Sequence, residues 1–170
     1  MDRRTLVATS LGLIAGGSAI SEERPLGRSR VLGVWTLMDA VSITGTDVAP
    51  WSGRQTPITG TLMYLDSGWM SAQISGAKPG IISRADFLKL SPADRHTWFK
   101  EYYAYYAQFD VDEDARVITH RVVDSLLPYE KGIVYKRSFE VNGDMLTLLT
   151  EPREAGGRTT FNRLTWKKVA

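Results

Sequence analysis

VLGVWTLMDAV, residues 31–41, sets Gly33 two places before Trp35 in an apolar run that reads as one β-strand. Val or Ile would extend a strand as well as Trp does, so the indole needs a reason of its own. Short alternating segments separated by turn residues make up most of the chain beyond it. The stretch APWSGRQTP (49–57) carries Pro, Gly and Ser and reads as a loop. ITGTLMYLDSGWMSAQIS (58–75) breaks at Asp66-Ser67-Gly68 into two strands joined by a tight turn.

A helix interrupts the strands. Ser91 is placed to cap it, Pro92 suits its first position, and Asp94 can face the free amides. Helical periodicity runs on through Trp98 and Tyr102, with Phe99 and Tyr103 beside them, and a shorter turn is expected around RADFLKL (84–90). From about Tyr105 alternation returns: YYAQFDV, the acidic turn Asp112-Glu113-Asp114, then RVITHRVVDSL. KGIVYKRSFEV (131–141) turns at Asn142-Gly143-Asp144 into MLTLLT (145–150), and a loop with Gly156-Gly157 leads to RTTFNRLTWKK (158–168).

The pattern predicts an all-β chain of eight strands with a helical insertion between strands three and four. Short hairpin links favour antiparallel neighbours. Eight such strands close into an up-and-down barrel without free edges, and a barrel of that size is filled by side chains or holds one small ligand. A flattened sandwich satisfies the same alternation.

Composition narrows the function classes. The chain has 170 residues, 43% of them hydrophobic and 24% charged, with a net charge of +2. That is one domain with a real core, and scattered Lys and Arg give no basic stripe for nucleic acid. There is no Cys, which removes disulfides, thiolate metal sites and a lipidated anchor. The start reads as an export signal over residues 1–19: MDRR, then the apolar TLVATSLGLIAGG, then the small residues GSA. Its apolar run is shorter than the roughly 20 residues that span a bilayer. Arg3-Arg4 before Thr5-Leu6 is similar to a twin-arginine signal. Residues 20–30 read as a linker and 31–168 as the barrel, exported to the periplasm or beyond the cell.

Gly33 and Trp35 on the first strand with Arg163 on the last resemble the pairing of lipocalins and related calycin barrels. The resemblance implies that the indole plugs one end of the barrel and the Arg163 guanidinium covers it. LGVWTLMDA, GTLMYLDSGWMSAQI, YYAYYAQFDVDEDARVITHRV, YKRSFEVNGDMLTL and GGRTTFNRLTW together resemble the bacterial and fungal lipocalin-like domain family over about residues 31–167. The helical insertion departs from secreted lipocalins, whose main helix comes after the barrel. The resemblance implies either a ligand carrier or a cofactor-free isomerase or cyclase, and fold alone does not choose.

No cofactor or metal is expected. His96 and His120 are the only histidines, without metal-ligand spacing, and no phosphate loop or nucleophile elbow occurs. His120 shares a strand face with Ile118 and Val122, so it points inward, either as a proton shuttle or as a core histidine satisfied by a neighbour. Arg137 alternates with Tyr135 and Phe139, where it can hold a carboxylate or enolate oxygen, or lie on the surface with its stem over apolar neighbours. Ser71 and Gln73 share one face, in or out, and Tyr64 and Tyr106 offer hydroxyls. Trp98, Phe99 and Tyr102 form a lid over one mouth, or pack the insertion onto the wall.

Beside a filled barrel that serves only as an interaction or structural domain, two functions remain. One is a carrier of a small hydrophobic or amphipathic molecule, with Tyr64, Ser71, Gln73, Tyr106, His120 and Arg137 as candidate binding residues. The other is a cofactor-independent isomerase, cyclase or lyase with His120 moving a proton and Arg137 stabilising the developing anion.

Overall fold

A computed structural model describes residues 30–78, 80 and 82–169. The expected signal and nearly all of the linker lie outside the described residues. Ten strands form in chain order: β1 (Gly33–Thr44), β2 (Asp47–Pro50), β3 (Thr59–Tyr64), β4 (Trp69–Ser75), β5 (Tyr102–Asp112), β6 (Val117–Ser125), β7 (Val134–Asn142), β8 (Met145–Thr150), β9 (Arg153–Ala155) and β10 (Arg158–Lys168). Helices α1 (Arg84–Lys89) and α2 (Pro92–Phe99) lie between β4 and β5.

Eight of these strands make the barrel. Each pairs antiparallel with its neighbour in the order β1-β3-β4-β5-β6-β7-β8-β10, and β10 returns to β1 from Trp35↔Lys168 to Thr44↔Thr160. The closure removes the free edges that would otherwise template aggregation. The strands β2 and β9 are short ribbons added at one end that the strand pattern does not predict; β2 runs into the loop read at 49–57, and β9 precedes Gly156-Gly157.

Alternation decides which residues fill the interior. Trp35 and Leu37 point in; a bulge between Leu37 and Asp39 shifts the phase, so that Ala40 and not Asp39 turns inward. Met70, Ala72 and Ile74 on β4, Tyr103, Tyr105, Ala107 and Phe109 on β5, and Leu146 and Leu148 on β8 continue the lining. Fully burying a side chain such as Leu146 contributes about 1.5–3 kcal/mol.

The indole of Trp35 is wholly buried at one end, and its Nε1–H donates to Val31 O at 2.8 Å. Gly33 has φ +123, a region that L side chains rarely adopt. An added Cβ would also lie 3.1 Å from Lys168 Cε. Glycine is thus set by both conformation and space.

The cation over the plug is Lys168, with Nζ 5.2 Å from the Trp35 ring centroid. This corrects the expectation for Arg163. Antiparallel register places Arg163 opposite Val41, and its outward phase sets it 3.5 Å from Asp39 on the surface. Leu164 and Trp166 take the inward positions beside it.

The insertion is shorter in helix than periodicity predicts. Ser91 caps α2 by accepting from Asp94 N at 3.1 Å, with Pro92 in its first turn, but α2 ends at Phe99. Tyr102 already pairs with Ser75, so β5 begins three residues before the expected change of pattern. Phe87 meets Trp98 and Phe99 edge-on at 6.4 and 6.0 Å, a small cluster within the insertion itself. No described helix is long and apolar enough to cross a membrane.

Candidate functional site

A cavity of about 490 Å³ occupies the half of the barrel away from Trp35. Its aromatic side comes from Tyr103 and Tyr105 on β5, Tyr135 on β7, and Trp51, delivered by a short 3-10 turn after β2. The adjoining wall is aliphatic and polar: Leu148 and Thr150 from β8, Asn162 and Leu164 from β10. Trp166 lines it at the inner end, and Arg54, Glu130, Arg137, Glu151 and Arg153 supply its charges. Apolar walls with a few convergent polar groups are the usual make-up of a small-molecule site.

His120 lies at the centre of the barrel. Its register partners are Phe109 on β5 and Tyr135 on β7, and only 1% of it reaches solvent. Nε2 is 2.8 Å from the Tyr64 hydroxyl and Nδ1 is 2.8 Å from the Tyr105 hydroxyl. Burial, assisted by the charge on Arg137, lowers its pKa from the usual 6.5 to about 3. The ring is therefore neutral at ordinary pH, with one N–H and one free lone pair.

Satisfying the buried protons fixes the direction of this chain. Tyr64 is fully enclosed and has His120 as its hydroxyl partner, so its O–H donates to Nε2. Nδ1–H then donates to the Tyr105 oxygen, and the Tyr105 proton is left for the cavity that this residue lines. Burial raises both phenols, Tyr64 well above 10 and Tyr105 to about 12, with Arg137 opposing the shift in each.

Arg137 keeps the inward phase expected from Tyr135 and Phe139. Its guanidinium carbon sits 4.5 Å from the Tyr135 centroid, and one of its nitrogens donates to Lys136 O at 3.0 Å. Among the described residues it pairs with no carboxylate. Arg54 stacks 4.3 Å from the Trp51 centroid, and desolvation by burial, partly offset by Glu101, lowers its pKa.

Four of the candidates do not line the cavity: Tyr64, which reaches it only through His120, and Ser71, Gln73 and Tyr106. Ser71 and Gln73 do share a face, and it is the outer one, because Met70, Ala72 and Ile74 claim the interior. Gln73 Oε1 accepts there from the Tyr102 hydroxyl at 3.0 Å. Tyr106 is 45% exposed and packs on Trp69, with ring centroids 6.3 Å apart. Its neighbour Tyr105 has the inward phase instead. Nor do Trp98, Phe99 or Tyr102 line the cavity.

Sequence reasoning missed Glu130, Trp51, Arg54 and Trp166. Glu130 belongs to a 3-10 turn in the β6–β7 connection and is 7% exposed. Its carboxylate accepts from the Tyr103 hydroxyl at 3.0 Å and from Ser125 Oγ at 2.6 Å. Nothing in LLPYEKG marks that carboxylate as buried. Trp166 had a signal, because it alternates with Leu164 on the last strand.

A closed barrel with an interior cavity agrees with the match to a family. The model of the lipocalin-like domain family covers residues 32–169. The chain belongs to that family. No curated protein matches the sequence. As the strand pattern predicts, the helices come after the third barrel strand, between β4 and β5. A lipocalin-like barrel suits small-molecule binding in its interior. Among the described residues no cluster of His, Asp or Glu is arranged to hold a metal ion.

Proposed function

We propose that this lipocalin-like chain is an exported carrier that holds one small amphipathic molecule inside the barrel. The observation behind the reading is the cavity of about 490 Å³, with a tyrosine-rich wall on one side and charged groups toward its mouth. That volume lies within the range of ordinary ligand sites. Export is supported by the basic, apolar and small-residue succession of residues 1–19.

The enzymatic alternative has less behind it. A base at pH 7 works best with a pKa near 7, whereas His120 is held at about 3 and both its nitrogens are engaged by tyrosines.

The test is binding of N-phenyl-1-naphthylamine, an apolar dye whose emission rises out of water. The wild-type protein should enhance the dye saturably. Ala72→Phe, which places a ring in the cavity, should abolish the enhancement while near-ultraviolet circular dichroism stays native. Equal enhancement by the two proteins would remove the carrier reading. Export is read separately by fractionating bacteria that express the full chain or one lacking residues 1–19; retention of both in the cytoplasm would count against it.

A further inference from the structure

The side-chain acceptors of Glu130, Thr150 and Asn162 in the cavity wall are engaged, whereas two buried donors of the same wall are not. Glu130 receives Tyr103 and Ser125. Thr150 Oγ1 accepts from Asn162 N at 2.8 Å, and Asn162 Oδ1 accepts from Ser42 Oγ at 2.8 Å. Against these stand buried N–H groups with no acceptor: Trp166 Nε1 at the inner end and Arg54 Nε at the mouth. The Tyr105 proton adds to the surplus, and the half-buried Arg137 brings a guanidinium that pairs with no carboxylate among the described residues. A buried donor without a partner is costly, so a ligand that supplies acceptors gains what the empty site forgoes.

Charge points the same way. The lining carries Arg54, Arg137 and Arg153 against Glu130 and Glu151. The Glu130 carboxylate is already surrounded by hydroxyl donors. Glu151 lies beside the Lys136 backbone N–H at 3.4 Å. Arg137 is stacked on Tyr135, which holds its fork in place without neutralising it.

The geometry points to an acid as the ligand: we infer that the cavity takes an amphipathic carboxylate or enolate, its anionic oxygens on Arg137 and a neutral acceptor near Trp166. Trp166 stands four residues along β10 from Asn162, the β10 residue whose N–H bonds Thr150, which is paired with Arg137. Four residues of strand span about 13 Å, so the molecule is elongated and its flat or aliphatic body lies along the tyrosines. This inference rests on the carrier reading and adds the chemical class.

Calorimetric titration of the full chain with 8-phenyloctanoate, 8-phenyloctanamide and 8-phenyloctylamine tests it. The acid is expected to bind about tenfold more tightly than the amine, and Arg137→Gln should bring the acid to about the affinity of the amide. Arg137→Lys, which keeps the charge, should retain most of the preference, and unchanged melting of both variants excludes a folding cause. An amine that binds as well as the acid, through Glu130 and the tyrosines, would overturn the inference and leave the carrier reading standing. So would an acid preference that survives Arg137→Gln. Failure of all three compounds to bind, together with failure of the dye, would remove both.

Discussion

Lys168 Nζ lies 5.2 Å from the centre of the Trp35 indole, and Arg163 lies on the outer wall beside Asp39. The last strand therefore supplies a covering cation from its final residue rather than from its middle. Lys168→Ala is expected to cost about 0.5–1 kcal/mol, the worth of an exposed cation–π contact. Arg163→Ala should stay within about 0.5 kcal/mol, as surface substitutions do. Urea unfolding of the two variants checks the order; a larger loss at Arg163 would contradict the assignment.

The buried imidazole makes stability depend on pH. His120 titrates near 6.5 when unfolded and near 3 when folded, so below 6.5 the unfolded chain binds the extra proton. Stability is full above about pH 6.5 and falls by up to about 1.4 kcal/mol per pH unit as the pH drops toward 3. The loss levels off below the folded value. Urea midpoints at pH 7, 5.5 and 4.5 should decline more steeply in wild type than in His120→Gln. Parallel curves for the two would show that His120 is not buried neutral.

Tyr64 and Tyr105 each engage one nitrogen of that ring. Tyr64→Phe removes the partner of Nε2 and should destabilise by about 1–3 kcal/mol, the cost of an unpaired buried acceptor. Tyr105→Phe strands the donor Nδ1–H and should cost a similar amount. Thermal melts of the two variants measure it, and a neutral Tyr64→Phe would argue against the bond.

The strap that carries Arg54 and Trp51 depends on Gly76. A Cβ there would lie 2.1 Å from Glu101 Oε2 and 2.9 Å from Gln55 O. Glu101 is itself buried and accepts from Gln55 N at 3.0 Å. Gly76→Ala should therefore cost about 1–3 kcal/mol by overpacking. It should also raise the exposure of Trp51, visible as a red shift in tryptophan emission. Unchanged stability and emission would mean that this corner is looser than described.

Legibility in the sequence differs from strand to strand. The turns at Gly68 and Gly143, both with positive φ, mark two hairpins, and with them the antiparallel barrel. The inward phase of His120 and Arg137 is readable because Ile118, Val122 and Phe139 share it and are buried. The common face of Ser71 and Gln73 is readable too, and Met70, Ala72 and Ile74 mark the other face as the apolar one. Tyr106 misleads because tyrosines occupy both faces of YYAYYAQF; the inward phase is set by Ala107 and Phe109 farther along. Arg163 fails for want of register, since only the pairing Trp35↔Lys168 shows which cation reaches the indole. The surplus of donors is beyond sequence reading, because it arises between side chains brought together from separate strands and loops.

The proposed carrier must take its ligand into the barrel itself. Methyl-labelled protein titrated with 8-phenyloctanoate and followed by carbon–proton correlation spectra tests it most directly. Shifts are expected at Ile74, Leu148 and Leu164, which line the cavity, with Leu88 on α1 unmoved. Shifts at Leu88 with those three interior residues unchanged would place binding on the outside and rule out an interior site.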